Sequence, residues 1–315
     1  MEKHMPTEKY TWLITGGAGF IGSHLAKALV ARGQHVRVLD DFSAGNPQNL
    51  LPLRDQISLI QGNICDMQVV LQACKGTDYV LHHAALVSVP QSVAYPRETL
   101  QTNIQGTACV LEAARQCGVR RLVFASSCAV YGDAGQTPLA ETAPQNPLSP
   151  YALSKQAGMA LCRLYTKVYG LDTVSLVYFN VFGDGQNASS PYAAVIAHFL
   201  QEATNGKGLT IYGDGLQSRD FVHVRDVVQA NLLAAQKGKA GEIYNVGSGR
   251  SISVLQLADI IEKISGLRAE RTFLPARRGD IRFSAADIGK IRALGFAPSS
   301  SLEADLRMLW DSLSK

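Results

Sequence analysis

Residues Thr15–Gly22 read TGGAGFIG, and this stretch limits what the chain can fold into more than any other. Tyr10–Ile14 before it is rich in β-formers, and Ser23–Arg32 after it sets Leu25, Ala28 and Leu29 at helical spacing. A glycine-rich turn between a strand and a helix is what a dinucleotide site needs. Glycine lets the backbone pass close to a pyrophosphate, and the free N–H groups of the first helical turn face its charge. Two spacings overlap here, Gly16-x-x-Gly19-x-x-Gly22 and Gly17-x-Gly19-x-x-Gly22. Either alone also fits an ordinary turn, so context must decide. Val36–Leu39 predicts a second strand, ending at Asp40, eighteen residues beyond Gly22. A carboxylate placed there accepts hydrogen bonds from both hydroxyls of an adenosine ribose and repels a 2′-phosphate. Asp41 follows, so no arginine stands ready for that phosphate, and the cofactor reads as NAD rather than NADP.

The same strand–helix rhythm continues. Ile57–Ile60, Tyr79–Leu81, Arg121–Ala125 and Thr173–Tyr178 read as further strands, with Asp66 as the N-cap of a helix between the first two. Ala84 and Ala85, just past the fourth strand, are small enough for a cofactor to lie against the backbone. Helical spacing predicts one long helix over Pro96–Cys117, carrying the polar Asn103 near its apolar stripe, and another over Tyr151–Tyr169. This alternation predicts an α/β fold, a doubly wound parallel sheet of the Rossmann kind. Beyond Asn180 the rhythm turns irregular. Residues 1–180 are expected to form the dinucleotide domain, and 181–315 a smaller mixed α/β substrate lobe, with elements from about 221–250 returning to the first. A small molecule should sit in the cleft between them.

Composition removes several function classes. Among 315 residues the net charge is +4 and no run of five basic residues occurs, so neither a nucleic-acid groove nor a membrane patch is signalled. No apolar stretch has the length of a membrane span, and the N-terminus lacks a signal-peptide core. The six cysteines show no C-x-x-C pairing and sit mostly in apolar stretches, which reads as buried free thiols in a reduced, cytoplasmic protein. His82 and His83 have no carboxylate or cysteine at ligand spacing. They read as packing histidines, and no metal site is expected.

The chemistry is concentrated in Tyr151-Ala-Leu-Ser-Lys155. Residues four apart share a helix face, so phenol and ammonium address one region. The ammonium is expected to lower the tyrosine pKa, as is a positively charged nicotinamide, so that the phenol can take a proton from a sugar hydroxyl near neutral pH. Ser127, past the fifth strand, can hydrogen-bond the same hydroxyl. Tyr-x-x-x-Lys alone is common on solvated helices; the upstream dinucleotide pattern gives it weight.

Together TGGAGFIG, HHAAL, SSCAVYG, YALSK, YFNVFG, SRDFVHVRDV and RRGDIRFSAAD resemble the extended short-chain dehydrogenases/reductases of the nucleotide-sugar epimerase branch, over nearly the whole chain. The resemblance implies a catalytic set of Ser127, Tyr151 and Lys155. It implies that Gly16, Gly19, Phe20, Ile21, Asp40, Asn63, Ile64, Ala84, Ala85 and Tyr178 hold NAD, with Asn103, Tyr151 and Lys155 near the nicotinamide and its ribose. Asn180, Arg219, Arg277 and Asp280 would hold the UDP moiety, which fits the guanidinium preference for diphosphates. Ser88, Val89, Ser127, Ala194, Val195, Ile211 and Ser284 would complete the sugar-nucleotide site. Asn63 departs from the family, which usually carries Asp there near the adenine; an amide oxygen can still accept.

Where the family's dehydratases carry an Asp-Glu pair, this chain has Cys128 and Ala129, and its decarboxylases carry Glu at the Ala129 position. Alanine cannot move protons, so elimination and decarboxylation lose support. Cys128, matched by an acid/base cysteine in GDP-fucose synthases, reads here as a structural thiol. What remains is 4-epimerisation of a UDP-hexose. Tyr151 removes the O4 proton, the C4 hydride passes to NAD, and the 4-keto sugar turns over before the hydride returns. The residue four places after the Asp of Arg-x-Gly-Asp gates the sugar's 2-substituent in this family; here it is Ser284. A small gate predicts UDP-GlcNAc/UDP-GalNAc as the preferred pair, with UDP-glucose/UDP-galactose as the alternative. A nucleotide-sugar reductase or a non-catalytic NAD sensor are more distant readings. The resemblance also implies a homodimer joined by a four-helix bundle from the helices around Ile104–Cys117 and Tyr151–Tyr169, where Ala157, Leu161, Leu164 and Val168 extend beyond one core stripe. Surface-polysaccharide precursor supply is the expected role.

Overall fold

Seven parallel strands form the central sheet of this computed structural model, in the order β10-β6-β5-β4-β1-β2-β3. The structure describes residues 8–135, 138–186, 195–267, 270–276, 281–299 and 301–313. In chain order the first half runs β1 (Thr11–Thr15), α1 (Phe20–Ala31), β2 (His35–Asp40), β3 (Ile57–Gln61), α2 (Met67–Cys74), β4 (Tyr79–His82), α3 (Val89–Ala94), α4 (Pro96–Leu100), α5 (Gly106–Gln116), β5 (Arg121–Ser127), α6 (Pro150–Tyr169) and β6 (Thr173–Tyr178). The second half runs β7 (Asn180–Phe182), α7 (Val195–Thr204), β8 (Leu209–Tyr212), β9 (Ser218–His223), α8 (Val224–Lys237), β10 (Ile243–Val246), β11 (Ser251–Ser253), α9 (Val254–Ser265), β12 (Arg271–Leu274), α10 (Gly289–Arg292) and α11 (Leu302–Leu313).

The strands of the sheet read as apolar runs because both faces are covered by helices. Trp12, Leu13, Ile14, Val38, Leu81, Val123 and Leu176 are all buried in one large core. Strand order reverses between β1 and β4, so the glycine-rich turn after β1 and the Ala84 segment after β4 share the crevice where open parallel sheets bind ligands. A second, smaller core gathers Phe182, Phe199, Leu200, Ile211, Leu257 and Leu309 from β7, α7, β8, α9 and α11. Two small sheets serve it: β11-β9-β7, and the parallel pair β12-β8. β10 leaves this region and pairs in parallel with β6 on the main sheet.

Local chemistry sets the helix ends that matter. Ser149 caps α6 by accepting from the Ala152 N–H at 3.1 Å, with Pro150 at the first helical position, and Gly170 closes the helix in the left-handed region. Asp66 caps α2 through the N–H groups of Gln68 and Val69. The stretch expected as one helix over Pro96–Cys117 is instead α4, a π-helical turn at Gln101–Gln105, and α5. Val89 starts α3, with Ser88 as its N-cap accepting from the Gln91 N–H. Pro47–Leu53 is a 3-10 helix capped by Asn46. All six cysteines are free thiols; Cys74 and Cys162 are buried and the other four half-buried. No helix among the described residues is long and apolar enough to cross a membrane.

Candidate active site

The turn after β1 fits a dinucleotide closely. Gly16 sits at φ +70°, and a Cβ on it would lie 2.6 Å from the Ala84 nitrogen, so the two crevice loops touch backbone to backbone. A Cβ on Gly22 would collide with the Gly16 carbonyl oxygen. Gly19 is the N-cap of α1 and no side chain caps that helix, which leaves the N–H groups of Phe20 and Ile21 directed at the crevice as an anion site requires. At the end of β2, Asp40 is buried and accepts from the N–H groups of Ala18 (2.9 Å) and Phe42 (2.8 Å). Burial pushes its carboxyl above the usual range, opposed by those two bonds. Ile64 is buried, and Asn63 follows β3 at the same edge.

On the other side of the crevice β5 runs two residues further than expected, so Ser127 is its last residue. The Ser127 hydroxyl accepts from the Ala129 N–H at 3.3 Å and lies near enough to the Tyr151 phenol to favour its ionised form. One helical turn on, the buried Lys155 ammonium donates to the Ala125 carbonyl at 2.8 Å and lies 5.9 Å from the Tyr151 ring centroid. The expectation that Lys155 lowers the Tyr151 pKa is not met by the protein alone. Burial pushes the phenol up to about 12, with the neighbouring Ser127 hydroxyl only partly opposing it, and burial pushes Lys155 down to about 8. The ammonium is committed to a backbone carbonyl, and loss of water dominates both groups.

This has a stability consequence. Lys155 titrates lower in the fold than its ordinary 10.5, so between about pH 8 and pH 10.5 the unfolded chain binds more protons and stability rises with pH. Below about pH 8 the full penalty of the buried charge is present. Lys155→Met should therefore raise the Tm of dinucleotide-free protein by a few degrees at pH 7, a gain that shrinks toward pH 10, while turnover is lost. Thermal scans at the two pH values check it; an unchanged or lowered Tm at pH 7 would remove the desolvation argument.

The remaining expected residues divide. Asn103, in the π-turn, is buried and holds the Leu86 backbone from both sides (2.8 Å and 3.0 Å) while donating to Ser154 on α6 at 2.9 Å. It thereby ties the crevice loop to the helix that carries Tyr151. The Tyr178 hydroxyl is engaged by His83 (2.9 Å) and Asn231, and His82 is buried between Thr15 (2.6 Å) and Thr107 (3.0 Å). Both histidines are thus hydrogen-bonded within the fold, and among the described residues no group of three or more His, Cys, Asp or Glu could hold a metal. Ala85 and the capping Ser88 are half-buried; Val89 is exposed. Asn180 on β7 donates to the Asp220 carbonyl at 3.1 Å, Val195 opens α7, and Ile211 is sealed in the smaller core. Ala194, Arg277 and Asp280 lie outside the described residues.

Ser284 is buried rather than a surface serine, and it lies near enough to the Cys128 thiol, which follows Ser127 directly, to favour its ionised form. Arg219 on β9 is close enough to act electrostatically on that thiol. Sequence reasoning missed what fixes this side. The buried Asp220 carboxylate accepts from Ser248 N and Oγ (both 2.7 Å), Gly249 N (3.0 Å) and Ala286 N (3.0 Å), joining three chain segments behind the site. The only sequence signal was an acid directly before the apolar pair Phe221–Val222 of β9.

A family profile described as the NAD dependent epimerase/dehydratase family matches residues 12–247. A UDP-glucose 4-epimerase of Mycolicibacterium smegmatis is 38% identical over 295 residues, covering 92% of this chain and 94% of that one. Among solved structures, a UDP-N-acetylglucosamine 4-epimerase of Methanobrevibacter ruminantium in complex with UDP-N-acetylmuramic acid superposes with a TM-score of 0.93 at 37% identity, covering 98% of this chain and 99% of that one. A UDP-glucose 4-epimerase of Thermotoga maritima with UDP-glucose gives 0.92 at 35% identity, covering 96% and 98%.

Proposed function

The chain belongs to the NAD-dependent epimerase/dehydratase family, and from that premise we propose that it is a UDP-hexose 4-epimerase that prefers the UDP-GlcNAc/UDP-GalNAc pair. One observation carries the reading. Ser127 ends β5, Tyr151 and Lys155 on α6 lie beside that strand end, and among the described residues no acid acts on the phenol, the one titratable neighbour that does being the Cys128 thiol. Ala129 cannot move a proton, and burial pushes the Cys128 thiol up to about 11, so it stays protonated. A site with a single general base suits reversible oxidation of one hydroxyl better than elimination or decarboxylation.

In this reading Gly16, Gly19, Phe20 and Ile21 hold the NAD pyrophosphate, Asp40 holds the adenosine ribose, and Asn63, Ile64, Ala84 and Ala85 line the adenine and crevice walls. The cofactor, when bound, supplies a hydride acceptor and the positive charge of its nicotinamide. Ser127 orients the sugar O4 hydroxyl and Tyr151 removes its proton, then returns it after the sugar turns. Lys155 keeps a positive charge below the phenol. Asn180 and Arg219, with Arg277 and Asp280, bind the diphosphate and nucleoside, so that residues 181–315 act as the UDP-sugar lobe. Relatives acting on plain and on N-acetylated hexoses are both similar to this chain, and the buried small Ser284 favours the acetamido sugar.

Incubation with UDP-GlcNAc, followed by NMR of the sugar, should give the same mixture that UDP-GalNAc gives, with no net change at 340 nm. Stoichiometric absorbance change would instead identify a reductase. Purified protein should retain NAD(H), and added NADP should bind at least ~10-fold more weakly than NAD because Asp40 faces the 2′ position. Apo-protein that works better with NADP would overturn the assignment.

A homodimer through α5 and α6 belongs to the same proposal. Leu153, Leu164, Val168 and Tyr169 stand exposed on α6, beyond the stripe that packs on the sheet. Light scattering at micromolar concentration should report about twice the chain mass, and Leu164→Glu with Val168→Glu should reduce it to the monomer.

A further inference from the structure

The loops that follow β2 and β3 meet through side chains. Asn63 is held from both ends: its Oδ1 accepts from the Cys65 N–H at 2.8 Å, and its Nδ2 donates to Asp41 Oδ2 at 2.8 Å. The amide orientation is therefore fixed by chemistry, since an N–H faces the oxygen and a carboxylate faces the nitrogen. Asp41 is anchored in turn. Its Oδ1 accepts from the Ser43 N–H at 2.9 Å and from Ser43 Oγ at 2.5 Å. Between the two sits Phe42 at φ +59°, the one non-glycine among the described residues in the left-handed region, with its N–H on Asp40 Oδ1 at 2.8 Å. A bulky residue does not hold that conformation unless its neighbours impose it. The adjacent carboxylates of Asp40 and Asp41 bracket that turn from either side.

We propose that Asp41 is a positioning residue for the adenine end of NAD, and that the amide of Asn63 and the acid of Asp41 form one coupled pair. The proposal rests on the dinucleotide reading above. Asn63 departs from the aspartate usual in the family, and the contact with Asp41 supplies the reason. A carboxylate in place of the Asn63 amide would bring two acids into hydrogen-bond contact, and they would separate or trap a proton. An amide in place of the Asp41 carboxylate would set two NH₂ groups against each other, because the oxygen of each is already committed to a backbone N–H. Only an acid with an amide keeps all four contacts, and exchanging the two groups keeps them equally. After the exchange, the amide on the β2 side would accept from Ser43 and donate across. The carboxylate on the β3 side would accept both from that amide and from the Cys65 N–H.

The test is calorimetric titration of the full chain, stripped of nucleotide, with NAD and with ADP-ribose, which lacks the nicotinamide. Asp41→Asn and Asn63→Asp should each weaken both ligands by about 10–100-fold, the range expected for losing one charge-assisted bond. The exchanged double variant Asp41→Asn/Asn63→Asp should return within about threefold of wild type, a recovery that two independent sites would not give. Ser43→Ala, which loosens Asp41 without touching Asn63, should weaken binding by a smaller factor. Singles that bind like wild type, or a double variant whose losses simply add, would overturn the coupling. Wild type that fails to bind ADP-ribose would instead remove the dinucleotide reading beneath it.

Discussion

Replacing Tyr151 with phenylalanine should lower turnover by ~10²–10⁴ while leaving the fold and NAD binding in place. The ring stays, and the α6 N-terminus is held by Ser149 and Pro150 rather than by the phenol. What disappears is the hydroxyl beside Ser127 that, in the proposed reaction, exchanges a proton with the sugar. The protein alone pushes that phenol up to about 12, so at neutral pH it needs a further positive charge before it can act as a base. Lys155 offers one, but its own proton is held only to about pH 8. The pH dependence of kcat should accordingly differ from that of a solvated tyrosine. Turnover of UDP-GlcNAc, the Tm and the NAD content of Tyr151→Phe should be measured together. Near-normal kcat with intact fold would reject the phenol as the base; a lost fold with lost activity would leave Tyr151 structural, and Ser127→Ala, which keeps α6 untouched, would then carry the test with an expected loss of similar order.

Much of this site was legible because its parts are local. The strand–turn–helix around Gly16–Gly22, the acid ending β2 and the Tyr-x-x-x-Lys spacing are each written within a few residues, and the structure places all three along the same edge of the sheet. What stayed hidden depends on distant partners. The short strands β7, β11 and β12 have three or four residues each and exist because a neighbouring strand pairs with them. The π-turn at Asn103 lies in a stretch of regular helical spacing, and only the contacts of Asn103 with Leu86 and Ser154 distinguish it. Asp220 collects donors from Ser248, Gly249 and Ala286, which no local pattern announces. The direction of the Tyr151 shift escapes sequence reasoning for a related reason. Sequence shows a lysine four residues on, but not that its ammonium is turned to the Ala125 carbonyl in a dry environment.

Ser284→Tyr should abolish turnover of N-acetylated substrates and spare plain UDP-hexoses. The expectation follows from how the segment around Ser284 is held. The Ser218 N–H donates to the Arg282 carbonyl at 3.0 Å, the Leu139 N–H to the Ala285 carbonyl at 2.8 Å, and the Ala286 N–H to Asp220 at 3.0 Å. Leu139 and Ser218 belong to different parts of the fold, so the segment is tethered on both flanks and its backbone cannot retreat to make room. Ser284 itself is buried near Cys128, one residue past Ser127, so in the proposed site a phenol ring introduced there must take its volume from the space beside the sugar. A hydroxyl at C2 tolerates that loss and an acetamido group does not. In wild type the discrimination should be modest, about 10–200-fold in kcat/KM in favour of UDP-GlcNAc over UDP-glucose, because a pocket that fits the larger group merely holds the smaller one loosely. In the variant it should invert, with kcat/KM for UDP-glucose within about tenfold of wild type, since no hydrogen-bonding group that touches the hexose ring is removed. Cys128→Ala in the Ser284→Tyr background should restore part of the N-acetyl turnover by freeing the volume of the thiol. A wild type that strongly prefers UDP-glucose, or a tyrosine variant with unchanged N-acetyl turnover, would shift the reading to the plain UDP-glucose/UDP-galactose pair.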